Sequence, residues 1–207
     1  MIELAAFFGN PGKEHAGNRH NVGWLLAEKM DIYESLQWRK KFRGLWAFMD
    51  DVQFLMPQTY MNLSGESVFE ASSFFKIAPQ KIIVIHDELE LPLGTVSLKF
   101  GGGLGGHNGL RSMKAVFATA DFWRLRMGIG RPDSRLPGQG GPEGSGRGIY
   151  EWVLSDFTEQ EWEILGPAID AAAQLLQKTF ANEPEGFLPE WSKKKITPVT
   201  ENPKEPE

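Results

Sequence analysis

Apolar residues in this chain fall into short runs separated by turn-forming residues, and their spacing alternates between strand-like and helix-like. Residues 2–8 are almost continuously apolar and stop at Gly9-Asn10-Pro11-Gly12, which predicts a buried strand ended by a tight turn. Val22, Leu25, Leu26 and Met30 recur at helical spacing and predict a helix from Arg19 to about Met30. Residues 43–56 hold two short strands around Asp50-Asp51, and Ser64 to Lys76 reads as a second helix carrying Val68, Phe69, Ser72 and Phe75. Lys81 to Ile85 is dominated by β-branched residues without alternation, the pattern of a central strand covered on both faces. A strand is expected at 95–100, a helix at 107–118, a strand near 123–129 and a long helix from about Thr158 to Phe180. Strands alternating with helices predict an α/β fold. We expect a single three-layer domain over residues 1–196, with a mixed, largely parallel twisted sheet flanked by helices on both faces.

Two segments break the pattern. Residues 132–148 are too rich in Gly and Pro to pack and are expected to form a flexible loop. Residues 197–207, rich in Pro and Glu, are expected to be a disordered acidic tail.

Composition acts mainly by exclusion. At 207 residues, 41% hydrophobic and 24% charged, the chain has the profile of a globular protein with an ordinary core. Cysteine is absent, which removes disulfides, thiolate metal sites and cysteine nucleophiles and fits a reducing cytoplasm. No apolar run approaches the roughly 20 residues that span a bilayer, and the first residues lack a basic leader. A cytoplasmic protein with no membrane partner is therefore expected. A net charge of −5 argues against general coating of nucleic acid. Basic residues nevertheless gather at 39–43 and at Arg111, Lys114, Arg124, Arg126 and Arg131, leaving room for a local basic surface.

The chemistry concentrates in a few strings. Residues 101–109 read Gly-Gly-Gly-Leu-Gly-Gly-His-Asn-Gly and run into the apolar helical spacing of Leu110, Met113, Val116 and Phe117. A glycine loop opening a helix offers free backbone N–H groups and a partial positive charge to an anion. It is not a nucleotide loop of known type. It has no Gly-x-x-x-x-Gly-Lys-Ser/Thr, and Gly101-x-Gly103-x-x-Gly106 lacks both a preceding mononucleotide-binding unit and an acidic residue at the required distance. In an open α/β sheet, ligands bind beyond the carboxyl ends of the strands. Asn10, His20-Asn21, Tyr60-Met61-Asn62, His86-Asp87-Glu88 and His107-Asn108 all fall at that rim. The four histidines (His15, His20, His86, His107) show no metal-binding spacing, and no Gly-x-Ser-x-Gly elbow occurs. Neither a metal nor a cofactor is called for. What remains is a histidine acting as general base on water, a carboxylate to orient it, and amides to bind a polar substrate.

Six strings in order carry a resemblance. Gly9-Asn10-Pro11-Gly12, Arg19-His20-Asn21-Val22-Gly23, Pro57-Gln58-Thr59-Tyr60-Met61-Asn62-Leu63-Ser64-Gly65, His86-Asp87-Glu88-Leu89-Glu90-Leu91-Pro92, Gly105-Gly106-His107-Asn108-Gly109-Leu110 and Arg124-Leu125-Arg126-Met127-Gly128-Ile129-Gly130 resemble bacterial-type peptidyl-tRNA hydrolase. The match runs over about residues 2–131, and more loosely to about 190. The resemblance implies a monomeric, metal-independent esterase that frees tRNA from peptides released by stalled ribosomes. It implies that His20 activates water and that Asp87 orients it. By the same resemblance, Asn10, Asn62 and Asn108 bind the peptide main chain and the reacting carbonyl, Met61 and His107 line the cleft, and Lys99 and Arg126 clamp the terminal phosphate of the tRNA. Where the family usually carries Tyr, this chain has His15. Two other functions fit the same strings: a non-catalytic RNA-binding protein on this fold, and a generic small-ester hydrolase with no use for a phosphate clamp.

Overall fold

The computed structural model describes residues 1–132 and 147–196. The flexible loop expected at 132–148, apart from its ends, and the tail expected at 197–207 lie outside the described residues. In chain order the elements are β1 (Leu4–Phe7), α1 (Val22–Glu28), β2 (Arg39–Lys41), β3 (Gly44–Met49), β4 (Val52–Pro57), α2 (Ser64–Phe75), β5 (Ile82–Glu88) and β6 (Thr95–Phe100). They continue with α3 (Asn108–Phe117), β7 (Trp123–Gly128), α4 (Arg147–Val153), α5 (Glu159–Ala181), α6 (Leu188–Trp191) and β8 (Lys194–Lys195).

The strands form one eight-stranded sheet in the order β2-β3-β4-β1-β5-β7-β6-β8. Parallel pairing is confined to its centre, β4-β1-β5-β7, while β2-β3-β4 and β7-β6-β8 pair antiparallel. The sheet is thus mixed, as expected, but less parallel than its strand–helix alternation suggests. One margin, β2-β3-β4, is built of consecutive hairpins; at the other, β6 joins β7 through α3 and β8 is a two-residue edge strand.

Alternation along β1 explains the three layers. Leu4, Ala6 and Phe8 pack with Val68 and Ala71 of α2 and Leu110 and Met113 of α3. Ala5 and Phe7 face the other way, toward Leu26 of α1 and Leu165, Ile169, Ala172 and Leu176 of α5. Two glycines permit close approaches that set the site. A Cβ on Gly23 would lie 2.5 Å from the Phe8 carbonyl oxygen, so α1 can start against the end of β1 only with glycine there. A Cβ on Gly65 would lie 2.4 Å from the Ser112 carbonyl carbon, which brings the start of α2 directly onto α3.

Four sequence readings shift. Arg19–Asn21 form a single 3₁₀ turn before α1, because their side chains bond to neighbouring segments. β5 continues through His86-Asp87-Glu88, so these residues lie within the strand, pairing with Arg126-Met127-Gly128 of β7, not after it. His107 is the N-cap of α3 and not part of its first turn. β2, α6 and β8 are too short to show in the pattern, and α4 is masked by the Gly- and Pro-rich stretch before it. Among the described residues, no helix is long and apolar enough to cross a membrane.

Candidate active site

Asp87 is the hub of the site. Its Oδ1 accepts from His20 Nδ1 at 2.7 Å and from His107 Nε2 at 3.0 Å. The backbone around His107 fixes which proton sits where. As N-cap of α3, its Nδ1 accepts from the N–H groups of Gly109 and Leu110, at 3.1 and 3.4 Å. That nitrogen is therefore unprotonated, and Nε2–H donates to Asp87. With Asp87 ionised, His20 likewise carries its proton on Nδ1. Its Nε2 is left as the acceptor nitrogen of a side chain that lines the cleft.

Burial alone would lower the pKa of His20, but the charge of Asp87 and the hydrogen bond to it outweigh desolvation and hold it above the ordinary value. Burial pushes the Asp87 carboxyl up, yet the two imidazoles outweigh it and hold the group well below the usual carboxylate range. His86, wholly buried and edge-on to His107 at 4.8 Å between ring centroids, is kept well below its ordinary value, first by burial and then by His107. It is neutral and donates from Nδ1 to the Asp87 carbonyl oxygen at 2.6 Å.

Asn10 is positioned as firmly. Its backbone N–H donates to Asn21 Oδ1 and its carbonyl accepts from Asn21 Nδ2, both at 2.9 Å. Its own Oδ1 accepts from the Met61 N–H at 2.8 Å, and Nδ2, beside the cleft, has no partner among the described residues. Sequence reasoning put Asn21 at this rim without a role. Fully buried, it joins the turn after β1 to the His20 turn. A side chain that bonds both backbone groups of a distant residue leaves no spacing signal.

These groups line a cavity of about 800 Å³. All seven cleft residues expected from sequence border it: Asn10, His20, Met61, Asn62, Asp87, His107 and Asn108. Asn62 and Asn108 are exposed, Met61 is buried, and His15 also lines the cavity. One wall was not foreseen. Ile149, Tyr150, Val153 and Leu154, on and just after α4, close the cleft, and Tyr150 is 66% exposed. The helix is seven residues long and follows the Gly- and Pro-rich stretch, which hid the spacing of Ile149 and Val153 at i and i+4.

Lys99 and Arg126 do not line this cavity. The β6–β7 pairing sets Lys99 opposite Arg124 and Ser97 opposite Arg126, so these side chains share one face of the sheet beside the glycine-rich loop. Arg126 donates to Ser97 Oγ at 2.7 Å and to Glu88 Oε2 at 3.4 Å. Arg124, counted in the sequence only as part of a basic surface, is instead buried and donates to the carbonyls of Gly103 and Gly102 at 2.6 and 2.8 Å. Gly102 adopts φ +88°, and a Cβ there would lie 3.1 Å from Lys99 Nζ. Bare backbone is needed because the loop folds onto a lysine and is gripped from below by an arginine. Arg126 is paired with Glu88, while Lys99 has no salt-bridge partner among the described residues, so three cations meet on this face and attract anions.

Donor atoms of His20, Asp87 and His107 lie within 4.8 Å of one another, a proximity that sequence spacing does not show. Protons fill the space between them, since both ring N–H groups point at one carboxylate oxygen.

A buried histidine–carboxylate pair, an amide-lined cleft and an anion-attracting loop on a three-layer α/β scaffold define a hydrolase of polar, anionic substrates. Comparison with known proteins names the family. The family model for peptidyl-tRNA hydrolase matches residues 4–198. Peptidyl-tRNA hydrolase of Treponema pallidum is 42% identical, over 97% of this chain and 99% of that protein. The crystal structure of peptidyl-tRNA hydrolase from Acinetobacter baumannii superposes with a TM-score of 0.76 at 35% identity, covering 91% of each chain. A point mutant of that enzyme superposes with a TM-score of 0.77, also at 35% identity and 91% of each chain. The chain belongs to the peptidyl-tRNA hydrolase family.

Proposed function

We propose that this chain hydrolyses the ester between a peptide, or an N-blocked aminoacyl group, and tRNA, with His20 as general base and Asp87 as its orienting carboxylate. Family membership supports the reaction. The observation that carries the residue roles is the His20–Asp87 hydrogen bond of 2.7 Å, which leaves His20 Nε2 as an acceptor at the cleft. A water bonded to Nε2 attacks the ester carbonyl and gives up its proton to the imidazole. Ionised Asp87 stabilises the imidazolium that forms. Asn10 Nδ2, its direction fixed by the Met61 N–H, donates to substrate oxygen, and Asn62 and Asn108 bind the peptide main chain. The proton then passes from His20 to the departing ribose oxygen of the tRNA. Met61 and His107 shape the pocket, and His107 shares Asp87 with the base.

Lys99 and Arg126 bind the phosphate nearest the tRNA 3′ end, outside the cavity that takes the peptide. Phosphate contacts supply affinity without reading sequence, which suits an enzyme that accepts many tRNAs. We infer that residues 1–196 act as one catalytic unit, as a monomer in the cytoplasm, without cofactor.

Single-turnover hydrolysis of N-acetyl-aminoacyl-tRNA in EDTA tests the reading. Metal-independent release that slows as salt rises is expected. Binding of tRNA without release would instead identify a non-catalytic RNA-binding protein. Equal hydrolysis of a free aminoacyl ester, insensitive to salt, would identify a small-ester hydrolase.

A further inference from the structure

Among the described residues two arginines are no more than 3% exposed, Arg124 under the glycine-rich loop and Arg19. Arg19 directly precedes His20 but does not line the cleft. Its guanidinium is gripped by three later segments. Nη1 donates to Ser155 Oγ at 2.8 Å, to the Ser155 carbonyl at 3.1 Å and to the Asp156 carbonyl. Nη2 meets both carboxylate oxygens of Glu161, in the first turn of α5, at 2.7 and 2.6 Å. The plane lies over the Trp152 ring of α4, with its central carbon 3.7 Å from the ring centroid and 5.0 Å from that of Phe157. The backbone adds to this. The Arg19 N–H donates to the Ser155 carbonyl at 3.0 Å, and Asn18 bridges to Asp156.

Stability alone does not require this arrangement. Withdrawing an arginine and a carboxylate from water costs as much as their attraction returns, and apolar residues of like volume often serve a core equally well. What the planar fork adds is geometry, because it fixes several acceptors in one orientation, which a lysine cannot do. Here the acceptors belong to the segment joining α4 to α5. α4 itself is tied to the end of β7 by Trp152 Nε1, which donates to the Gly130 carbonyl at 2.9 Å. His20 therefore sits between two anchors: Asn21 bound to Asn10 on one side, and Arg19 bound to the far wall of the cleft on the other.

We propose that Arg19 is a positioning residue that locks the His20 turn to the α4 wall through Glu161, keeping His20 Nδ1 in line with Asp87. This rests on the reading of His20 as the base. The pair also links the cleft to α5, because Glu161 completes a capping box with Thr158.

The test compares Glu161→Gln, Arg19→Lys, Thr158→Ala and His20→Ala in the full chain, with kcat, KM and the acid limb of kcat/KM measured on N-acetyl-aminoacyl-tRNA and scaled to the folded fraction. Gln can still complete the capping box but not the ion pair, whereas Thr158→Ala breaks the cap and leaves Arg19 untouched. No titratable or charged group that touches His20 or shares its cleft (Asp87, His107, His15, Glu88, Arg111, Arg131, Tyr60, Tyr150) is altered. Small misplacements of a catalytic group cost up to about a hundredfold. Glu161→Gln and Arg19→Lys should therefore lower kcat at least about tenfold, more than they raise KM, and should move the acid limb to lower pH as His20 loosens from Asp87. Thr158→Ala should leave that limb in place. If Glu161→Gln does not fold, Arg19→Lys is read alone. A kcat and acid limb within about twofold of the unmodified chain, well short of that expected loss, would overturn the proposal. So would a loss of kcat with an unmoved limb that Thr158→Ala reproduces. Turnover surviving in His20→Ala would instead overturn the reading of the base, whereas an inactive His20→Ala beside a normal Glu161→Gln removes only the positioning role.

Discussion

Replacing Asp87 with Asn changes the charge at the centre of the site while keeping its shape. Oδ1 accepts from both His20 and His107, and an amide oxygen in the same place can accept both N–H groups. His107 cannot adapt, since its Nδ1 is committed to the N–H groups of Gly109 and Leu110 and only Nε2–H faces position 87. The amide is thereby held with its oxygen inward, and His20 keeps its proton on Nδ1. The loss is then electrostatic. An imidazolium forming about 4 Å from a carboxylate is stabilised by about 4 kcal/mol at an effective dielectric constant near 20. Asp87 is buried, so little of this is screened. At about 1.4 kcal/mol per decade, kcat should fall about a thousandfold. An inverted amide would present N–H to His20, force the wrong tautomer and push the loss toward about 10⁴, the cost of the analogous change in serine proteases. Single-turnover hydrolysis of N-acetyl-aminoacyl-tRNA at saturating enzyme reads the chemical step directly. A rate within tenfold of the unmodified chain would refute the electrostatic argument and leave His20 oriented by something else.

The proposed base role requires His20 deprotonated, and its pKa is raised, so kcat/KM should fall on the acid side with a midpoint above the ordinary histidine value of about 6.5. Asp87→Asn should bring that midpoint down, and an unmoved midpoint would remove His20 as the titrating group. In stability the signs differ. The contribution of His20 is complete below its ordinary pKa and is lost as pH rises through the raised value, whereas that of Asp87 is present above the carboxylate range and is lost as pH falls through its depressed value. Thermal denaturation of Asp87→Asn against the unmodified chain should show the gap closing at the acid end. Lys99→Ala and Arg126→Ala should each raise KM on tRNA substrates and reduce the slope of log KM against log salt by about one, while leaving hydrolysis of a short N-blocked aminoacyl ester unchanged. Gly65→Ala places a methyl 2.4 Å from the Ser112 carbonyl carbon and should destabilise the fold by about 1–3 kcal/mol, seen as a lower Tm, because neither backbone can yield.

Much of this was legible in the sequence because the chemistry sits on local signals. The turn after β1, the His20 turn, the start of α2 and the His107 cap each announce themselves as polar residues where an apolar run ends. The rule that ligands bind at the carboxyl ends of strands then collects them into one cleft. What stayed hidden depends on pairing across the fold. Arg124 and Arg126 alternate identically along β7, and only the loop resting on Arg124 separates a buried brace from a half-buried cation. Asn21, Arg19 and Glu161 act through partners 11 to 142 positions away, which no window of sequence contains. β5 reads as ending at Ile85 because polarity begins at His86, yet its backbone pairing continues to Glu88, so that the Asp87 carboxylate stands on the sheet and not on a loop. A strand holds such a group more rigidly than a loop does, which suits an orienting residue.

The central claim is that His20 activates water, and His20→Ala in single-turnover hydrolysis of N-acetyl-aminoacyl-tRNA, alongside a tRNA-binding measurement, tests it most directly. The account predicts that ester cleavage is abolished while tRNA affinity, carried by Lys99 and Arg126 outside the cleft, is retained. Cleavage continuing at a substantial fraction of the unmodified rate would contradict it.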